Sequence, residues 1–294
     1  MRNNQKSSFW DHACQAKGHT GYSDPLLHRY DQPVRLATVG RILSRLFPVG
    51  LEDKAALDIG CGTGDFVALL RTRKARVTGV DISPEVIRGT ERRFANDRQV
   101  SLLTGAILDL DLPPDALDVI TSVTVLQHVV NDGEFVRSLQ ALRFALRSDG
   151  RMIFLELAPP HAAPVEITDN TGYVYLLERP PGHWQAAFVQ AGLCIIDTPV
   201  FPQFGIALLR GLSWLINRLR PSRPQAGTEV AVAEADEGGR VLRRFQRAAF
   251  RGMRRSLLFF AWPIDYIFHL PLPARFCHYR IFVVATNPEA THTN

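Results

Sequence analysis

The sequence predicts a doubly wound α/β fold, a parallel sheet with helices on both faces, and three observations predict it. Short apolar runs alternate with helical periods from about residue 51 to 201. The first apolar run ends in a glycine turn, LDIGCGTGDF at 57–66, which opens directly into a helical pattern. The second run ends in a lone carboxylate, Asp81, 17 residues after Gly64. Composition agrees. The chain has 294 residues, 46% hydrophobic and 21% charged, which is globular and excludes a disordered or fibrous chain.

The elements follow in order. Residues 1–50 read as an N-terminal helical cap, with a helical stretch over 34–47 closed by Pro48, Val49 and Gly50. Residues 55–59 form an apolar strand, and a helix runs from Gly64 through Phe66, Val67, Leu69 and Leu70. Residues 76–80 form the second strand. Ser83 is the N-cap of the next helix, with Pro84 at its first position, and that helix runs to about Phe94. Residues 100–103 and 117–123 are the third and fourth strands. A helix over 135–146 is ended by Ser148, Asp149 and Gly150, and 151–157 is the fifth strand. A helix over 183–190 is closed by Gly192. Residues 193–201 are the sixth strand, and 279–286 the last.

The domain expected from this pattern is 51–201 plus 279–287, with 202–278 as a helical insertion before the last strand. Residues 205–219 are apolar and read as helix. Residues 221–239, PSRPQAGTEVAVAEADEGG, have the composition of a flexible linker. Residues 201–294 hold 13 Arg and 6 acids, for +7, so the net charge of +5 originates there. From 240 to 256, Arg240, Arg243, Arg244, Arg247, Arg251, Arg254 and Arg255 share one helical face. That face is either a solvated surface or a contact for an anionic partner, such as lipid headgroups, a phosphate-bearing substrate or nucleic acid. Trp262, Tyr266, His269 and His278 add amphipathic groups to the insertion, within which residues 240–268 suit an anionic membrane surface. No run reaches the roughly 20 apolar residues of a membrane span. Cys14, Cys61, Cys194 and Cys277 form no CxxC pair, and no apolar run follows Met1. A cytoplasmic location is therefore the expectation, with a peripheral place at the inner face of a membrane as the option that residues 240–268 add.

Glycine at Gly60, Gly62 and Gly64 lets the chain turn sharply and lets backbone approach a ligand closely. Asp81 can accept from both hydroxyls of a ribose, and Asp58 can face a positively charged amino group. DIGCGTG and VDIS together resemble the class I S-adenosylmethionine-dependent methyltransferases, over 51–201 plus the last strand. The resemblance implies a Rossmann-like seven-stranded sheet and S-adenosyl-L-methionine as cofactor. It implies that Gly60, Gly62 and Gly64 line the methionine and ribose part, that Asp81 binds the ribose and that Ile82 packs on the adenine. Where the family often carries an Asp for the adenine amino group, this chain has Ala106, with Asp109 slightly beyond. Adenine recognition then falls to Ile107 or to backbone. After strand four, SVTVLQHV at 122–129 places Val123 beside the cofactor and His128 as a candidate general base.

DPLLHRYDQPVRL at 24–36 is similar to the segment before strand one of the ubiquinone-biosynthesis O-methyltransferases. That similarity implies Arg35 as the ligand of the methionine carboxylate, with Trp10, Tyr22 and Tyr30 closing the site. Those enzymes carry carboxylates near the strand-four histidine that can hold a divalent ion. Thr124 and Gln127 stand there instead, so no metal is expected. The strand-four end lacks the [DNS]PP[YFW] motif of amino-group methyltransferases, which weakens the nucleic-acid reading. The expected function is methyl transfer to a small-molecule acceptor, most of all to oxygen, with a hydrophobic or lipid-linked substrate as one option. The alternatives are a catalytically silent adaptor and an RNA methyltransferase using the arginine face.

Overall fold

The structure, a computed structural model, describes residues 2–17, 25–169, 174–203, 205, 208, 256–257, 259–261, 265 and 278–288. The expected helix at 205–219, the linker at 221–239, the arginine face, Tyr22, Trp262, Tyr266, His269 and Cys277 lie outside them or nearly so. The chain divides into two compact units, Met1–Phe201 with Pro273–Asn294, and Pro202–Leu272.

In the first unit the strands are β1 (Ala55–Ile59), β2 (Arg76–Asp81), β3 (Val100–Thr104), β4 (Leu117–Val123), β5 (Leu146–Leu157), β6 (Val165–Thr168), β7 (Val174–Glu178), β8 (Leu193–Asp197) and β9 (Tyr279–Thr286). Seven of them form one sheet in the order β3-β2-β1-β4-β5-β9-β8. The pairs β1–β2, β2–β3, β1–β4 and β4–β5 are parallel, and β9 runs antiparallel to both β5 and β8. Strand order reverses between β1 and β4, and in such a sheet ligands bind beyond the carboxyl ends at that switch point.

Period-two alternation sends each strand's side chains to two cores. Ala56, Val77, Val119, Ile153 and Val283 face one side. They meet Val39, Ile42 and Leu43 of α2 (Pro25–Leu46) and Phe66, Val67 and Leu70 of α3 (Asp65–Arg71). Leu57, Ile120, Met152, Phe154 and Phe282 face the other. They meet Phe135, Leu139 and Leu142 of α5 (Asp132–Ala145) and Trp184 and Phe188 of α6 (Pro181–Gln190). Between β2 and β3 lies α4 (Pro84–Arg93), whose Ser83 cap accepts from Val86 N as the sequence anticipates.

The structure departs from the sequence reading in four places. The cap holds two helices, α1 (Arg2–Lys17) and α2, and α2 starts before Val34 and continues through Pro33. Burial of Val34, Val39, Ile42 and Leu43 outweighs the proline's disruption. Ser148, Asp149 and Gly150 do not separate α5 from the next strand. Leu146 already pairs with Leu117, the next pair is Val119 with Arg151, and the turn residues form an irregularity inside β5. The sixth strand stops at Asp197 rather than Phe201, two residues before Pro199, which has no N–H for a ladder. Finally, β6 and β7 form a separate two-stranded hairpin in a stretch whose prolines hide any strand period.

In the second unit, Gly205 N donates to Asp265 Oδ2 at 2.8 Å, and Phe259 and Phe260 are 75% and 71% exposed. Among the described residues no helix is long and apolar enough to cross a membrane.

Candidate active site

The glycine turn follows β1. Gly60, Gly62 and Gly64 have φ of 63°, 52° and 81°, the left-handed region that only glycine enters at no steric cost. Space adds a second reason at two of them. A Cβ on Gly60 would lie 2.2 Å from Val125 Cγ2, and one on Gly64 would lie 2.6 Å from Phe94 Cε2. Asp81, at the end of β2, fastens this turn. Its Oδ2 accepts from Gly62 N at 3.0 Å, and its Oδ1 accepts from Ser83 N at 3.0 Å. Burial raises its pKa, and the two N–H donors oppose that rise. Asp11 of α1 accepts from Ser83 Oγ and from Glu85 N, which attaches α1 to the start of α4.

A cavity of about 310 Å³ opens above the turn. Nine of the eleven residues expected at the site line it: Arg35, Gly60, Gly62, Asp81, Ile82, Ala106, Ile107, Val123 and His128. Gly64 and Asp58 do not. Gly64 packs away from the cavity, against α4. Asp58 lies beneath the turn, 1% exposed, and takes Thr121 Oγ1 on Oδ1 at 2.7 Å, while its Oδ2 is buried with no partner. Burial pushes its pKa up to about 7 against the Thr121 bond. Trp10 reaches the cavity, but Tyr30 is buried outside its lining. Asp109 lines the cavity beside Ala106 and accepts from Ala106 N at 3.3 Å.

The exit of β4 forms the opposite wall. Thr124 has φ of 59°, unusual for a β-branched residue and worth about 1–3 kcal/mol of strain. It is held by Thr124 N donating to Leu155 O at 2.7 Å. Its hydroxyl donates to Val123 O at 2.7 Å and accepts from Arg35 Nη1 at 3.0 Å. Arg35 also pairs with Asp31, and its guanidinium lies 5.2 Å from the Tyr279 ring centre.

Glu156 of β5 organises the turn from below. Fully buried, it accepts on Oε1 from Ser122 Oγ at 3.0 Å and from Val125 N and Leu126 N at 3.1 Å each, and on Oε2 from Gln127 N at 3.4 Å. Burial pushes its pKa up to about 7, opposed by those donors. Gln127 is fixed by Leu157 N donating to its Oε1 at 3.2 Å. His128 faces a ring of aromatic groups. The Trp10 ring centre is 4.7 Å from the imidazole, and Phe9 stacks on Tyr175 at 5.5 Å. The imidazole Nδ1 lies 2.7 Å from the Tyr175 carbonyl oxygen.

Sequence reasoning missed Glu156 and Tyr175. Glu156 was findable as the lone acid near the end of the apolar run RMIFLEL. Tyr175 had no such signal, because it comes in on the unanticipated hairpin. Among the described residues no group of three or more His, Cys, Asp or Glu could hold a metal ion.

A methyltransferase-domain family model matches residues 56–150. Uncharacterized methyltransferases of Mycobacterium bovis and Mycobacterium tuberculosis are 35% identical over 88 residues, 30% of this chain. The chain spans 43% of the length of those curated relatives. A ubiquinone biosynthesis O-methyltransferase of Aeromonas salmonicida is 33% identical over 191 residues, 58% of this chain and 79% of that protein. A solved S-adenosylmethionine-dependent methyltransferase of Leishmania major has the same fold, with a TM-score of 0.54 at 17% identity, covering 67% of this chain and 75% of that one. The glycine turn, the acid ending β2, the sheet order and these relatives agree: the chain belongs to the class I S-adenosylmethionine-dependent methyltransferases.

Proposed function

We propose that the chain transfers the methyl group of S-adenosylmethionine to an oxygen of a small apolar acceptor, with His128 as general base. One observation carries the reading: the glycine turn, Asp81 and His128 line a single cavity whose far wall is aromatic. The name of the Aeromonas relative supports oxygen as the acceptor atom.

The residues present fit the cofactor. Gly60 and Gly62 leave bare backbone at the cavity floor. Asp81 has two lone pairs on each oxygen and retains capacity to accept from ribose hydroxyls. Ile82, Ala106 and Ile107 form an apolar slot for a base, and Val123 lies alongside. Arg35 lines the same cavity, and in this reading its guanidinium meets the methionine carboxylate. Asp58 and Gly64 support the turn from beneath rather than touching a ligand. When bound, the cofactor supplies a methyl carbon already activated by its sulfonium. The chain's part is then to align the acceptor oxygen, exclude water and take the hydroxyl proton at His128. Thr124 and Gln127 are engaged with Arg35, Leu157 and His128 and offer no carboxylate, so we expect activity to survive chelation of divalent ions.

Calorimetric titration with S-adenosylmethionine and S-adenosylhomocysteine, followed by methylation assays on phenols, tests the reading. Micromolar binding of both and methyl ethers as products are expected. His128→Ala should keep cofactor affinity and lower turnover by about a hundredfold or more. Turnover unchanged in His128→Ala would remove the base assignment.

A second observation concerns how an apolar acceptor arrives. The exposed pair Phe259 and Phe260 follows a sequence, 240–255, with seven Arg and no acid. We propose that residues 240–268 contact an anionic membrane surface. Flotation with phosphatidylglycerol vesicles, weakened by Phe259→Ser with Phe260→Ser, is the expected result. Absence of flotation by the intact chain would reject it.

A further inference from the structure

We infer that Arg179 is a positioning residue for His128: with the β6–β7 hairpin it holds the imidazole in its Nδ1–H tautomer, which puts the ring's basic lone pair on Nε2, where an acceptor hydroxyl would have to displace the Gln127 amide to deliver its proton. The inference deepens the reading of His128 as the base and rests on it for its consequence, but not for its test.

Two contacts fix the tautomer independently. A carbonyl oxygen can only accept, so the 2.7 Å contact from Nδ1 to Tyr175 O requires the hydrogen on Nδ1. Gln127 gives the second constraint. Leu157 N–H donates to its Oε1, which assigns the other amide atom as the NH2 group. That NH2 lies 3.3 Å from His128 Nε2 and can only donate, so Nε2 carries the lone pair. Both contacts select one form of the ring.

The Tyr175 carbonyl is useful only if the hairpin stays in place. β6 and β7 pair with each other and not with the main sheet, so no ladder bonds tie them to it, and the packing of Leu176, Ile167 and Tyr175 against the core holds the hairpin without setting a polar register. Arg179 follows β7 directly and adds the polar anchor. It is fully buried, donates from Nη2 to Val129 O at 2.7 Å, and donates to Asp132 Oδ1 from Nε at 3.1 Å and from Nη2 at 2.9 Å. Its guanidinium carbon lies 4.1 Å from the Phe135 ring centre. One guanidinium thus ties the residue after His128 to the strand that carries Tyr175. The core alone gives no reason for this residue. Its Nη1 is buried with no partner, the Asp132 side chain is 59% exposed, and burial lowers the Arg179 pKa. A methionine would fill the same space without that desolvation.

The test is the nitrogen spectrum of His128 in the full chain labelled with 15N-histidine and saturated with S-adenosylhomocysteine, its signals assigned by His128→Gln. The wild type is expected to show a protonated Nδ1 and a lone-pair Nε2. Arg179→Met should move the ring to a mixture containing Nε2–H while S-adenosylhomocysteine affinity stays within about twofold, because the cofactor wall is untouched. Turnover of a phenol should fall in proportion to the lost tautomer, about tenfold if a tenth remains. Should Arg179→Met fail to fold, Asp132→Ala removes two of the three hydrogen bonds from an exposed position and is expected to give a smaller shift of the same sign. An Nε2–H ring in the wild type, or an unchanged ring in the folded variant, overturns the inference. If the tautomer behaves as expected but His128→Ala keeps full turnover, the positioning stands and the base assignment falls.

Discussion

Asp81 joins two jobs in one carboxylate. It fastens the glycine turn to the start of α4, and it faces the cavity where a ribose would lie. Asp81→Ala removes both, and S-adenosylhomocysteine binding should weaken by about a hundredfold or more, since each charge-assisted bond contributes about 1.5–3 kcal/mol. Calorimetry on protein shown to be folded by circular dichroism reads this, and unchanged affinity would remove Asp81 from the site. Gly60 tests backbone rather than charge. Alanine there must adopt positive φ and place a methyl 2.2 Å from Val125 Cγ2. Gly60→Ala should cost about 2–4 kcal/mol in denaturant unfolding. These residues could be picked out in the sequence because a turn of this kind needs particular residue types at particular spacings. Asp58 shows the limit of that reading. Its spacing was visible, but whether its side chain points to ligand or to core depends on strand alternation within a three-dimensional sheet, and it points beneath the turn.

At the scale of elements, the β4 exit turn is held by tertiary bonds that no local pattern announces. Three successive backbone N–H groups converge on Glu156, more than 28 residues later in the chain. Strand and helix existence was readable because apolar period is a local property. The hairpin and the β5 irregularity were not, because proline-rich flanks hid one and a run of turn residues implied an end where the strand merely jogs. Glu156 and Asp58 also give the molecule a pH dependence. Both pKa values lie at about 7, above the 4.5 and 3.8 of the exposed groups. Between those limits the folded chain retains protons that the unfolded chain has released. The stabilisation is therefore complete below about pH 4 and is lost as pH rises through about 7, with a slope of up to about 1.4 kcal/mol per pH unit for each group. Glu156→Gln keeps an oxygen for Ser122, Val125 and Leu126 but cannot titrate. Its unfolding free energy should fall less steeply than the wild type between pH 5 and pH 8. Parallel curves would show that Glu156 does not titrate in that window.

At the scale of the whole molecule, the cavity-lining residues among the described ones all belong to the first unit. The first unit also closes its own sheet, since β9 returns to pair with β5 and β8 after the second unit has been traversed. The rings of Phe201 and Tyr279, both in the first unit, lie 6.2 Å apart, so the chain leaves and re-enters that unit at neighbouring points. A flexible linker of about eight residues spans such a gap easily. Replacing 204–276 by such a linker should give a protein that folds and binds S-adenosylhomocysteine within about threefold of the full chain, because every lining residue among the described ones is kept. Equal affinity with loss of vesicle flotation would assign cofactor binding to one unit and membrane contact to the other. Loss of affinity in a folded variant would mean that the second unit contributes to cofactor binding, and the division of labour proposed for the two units would fail.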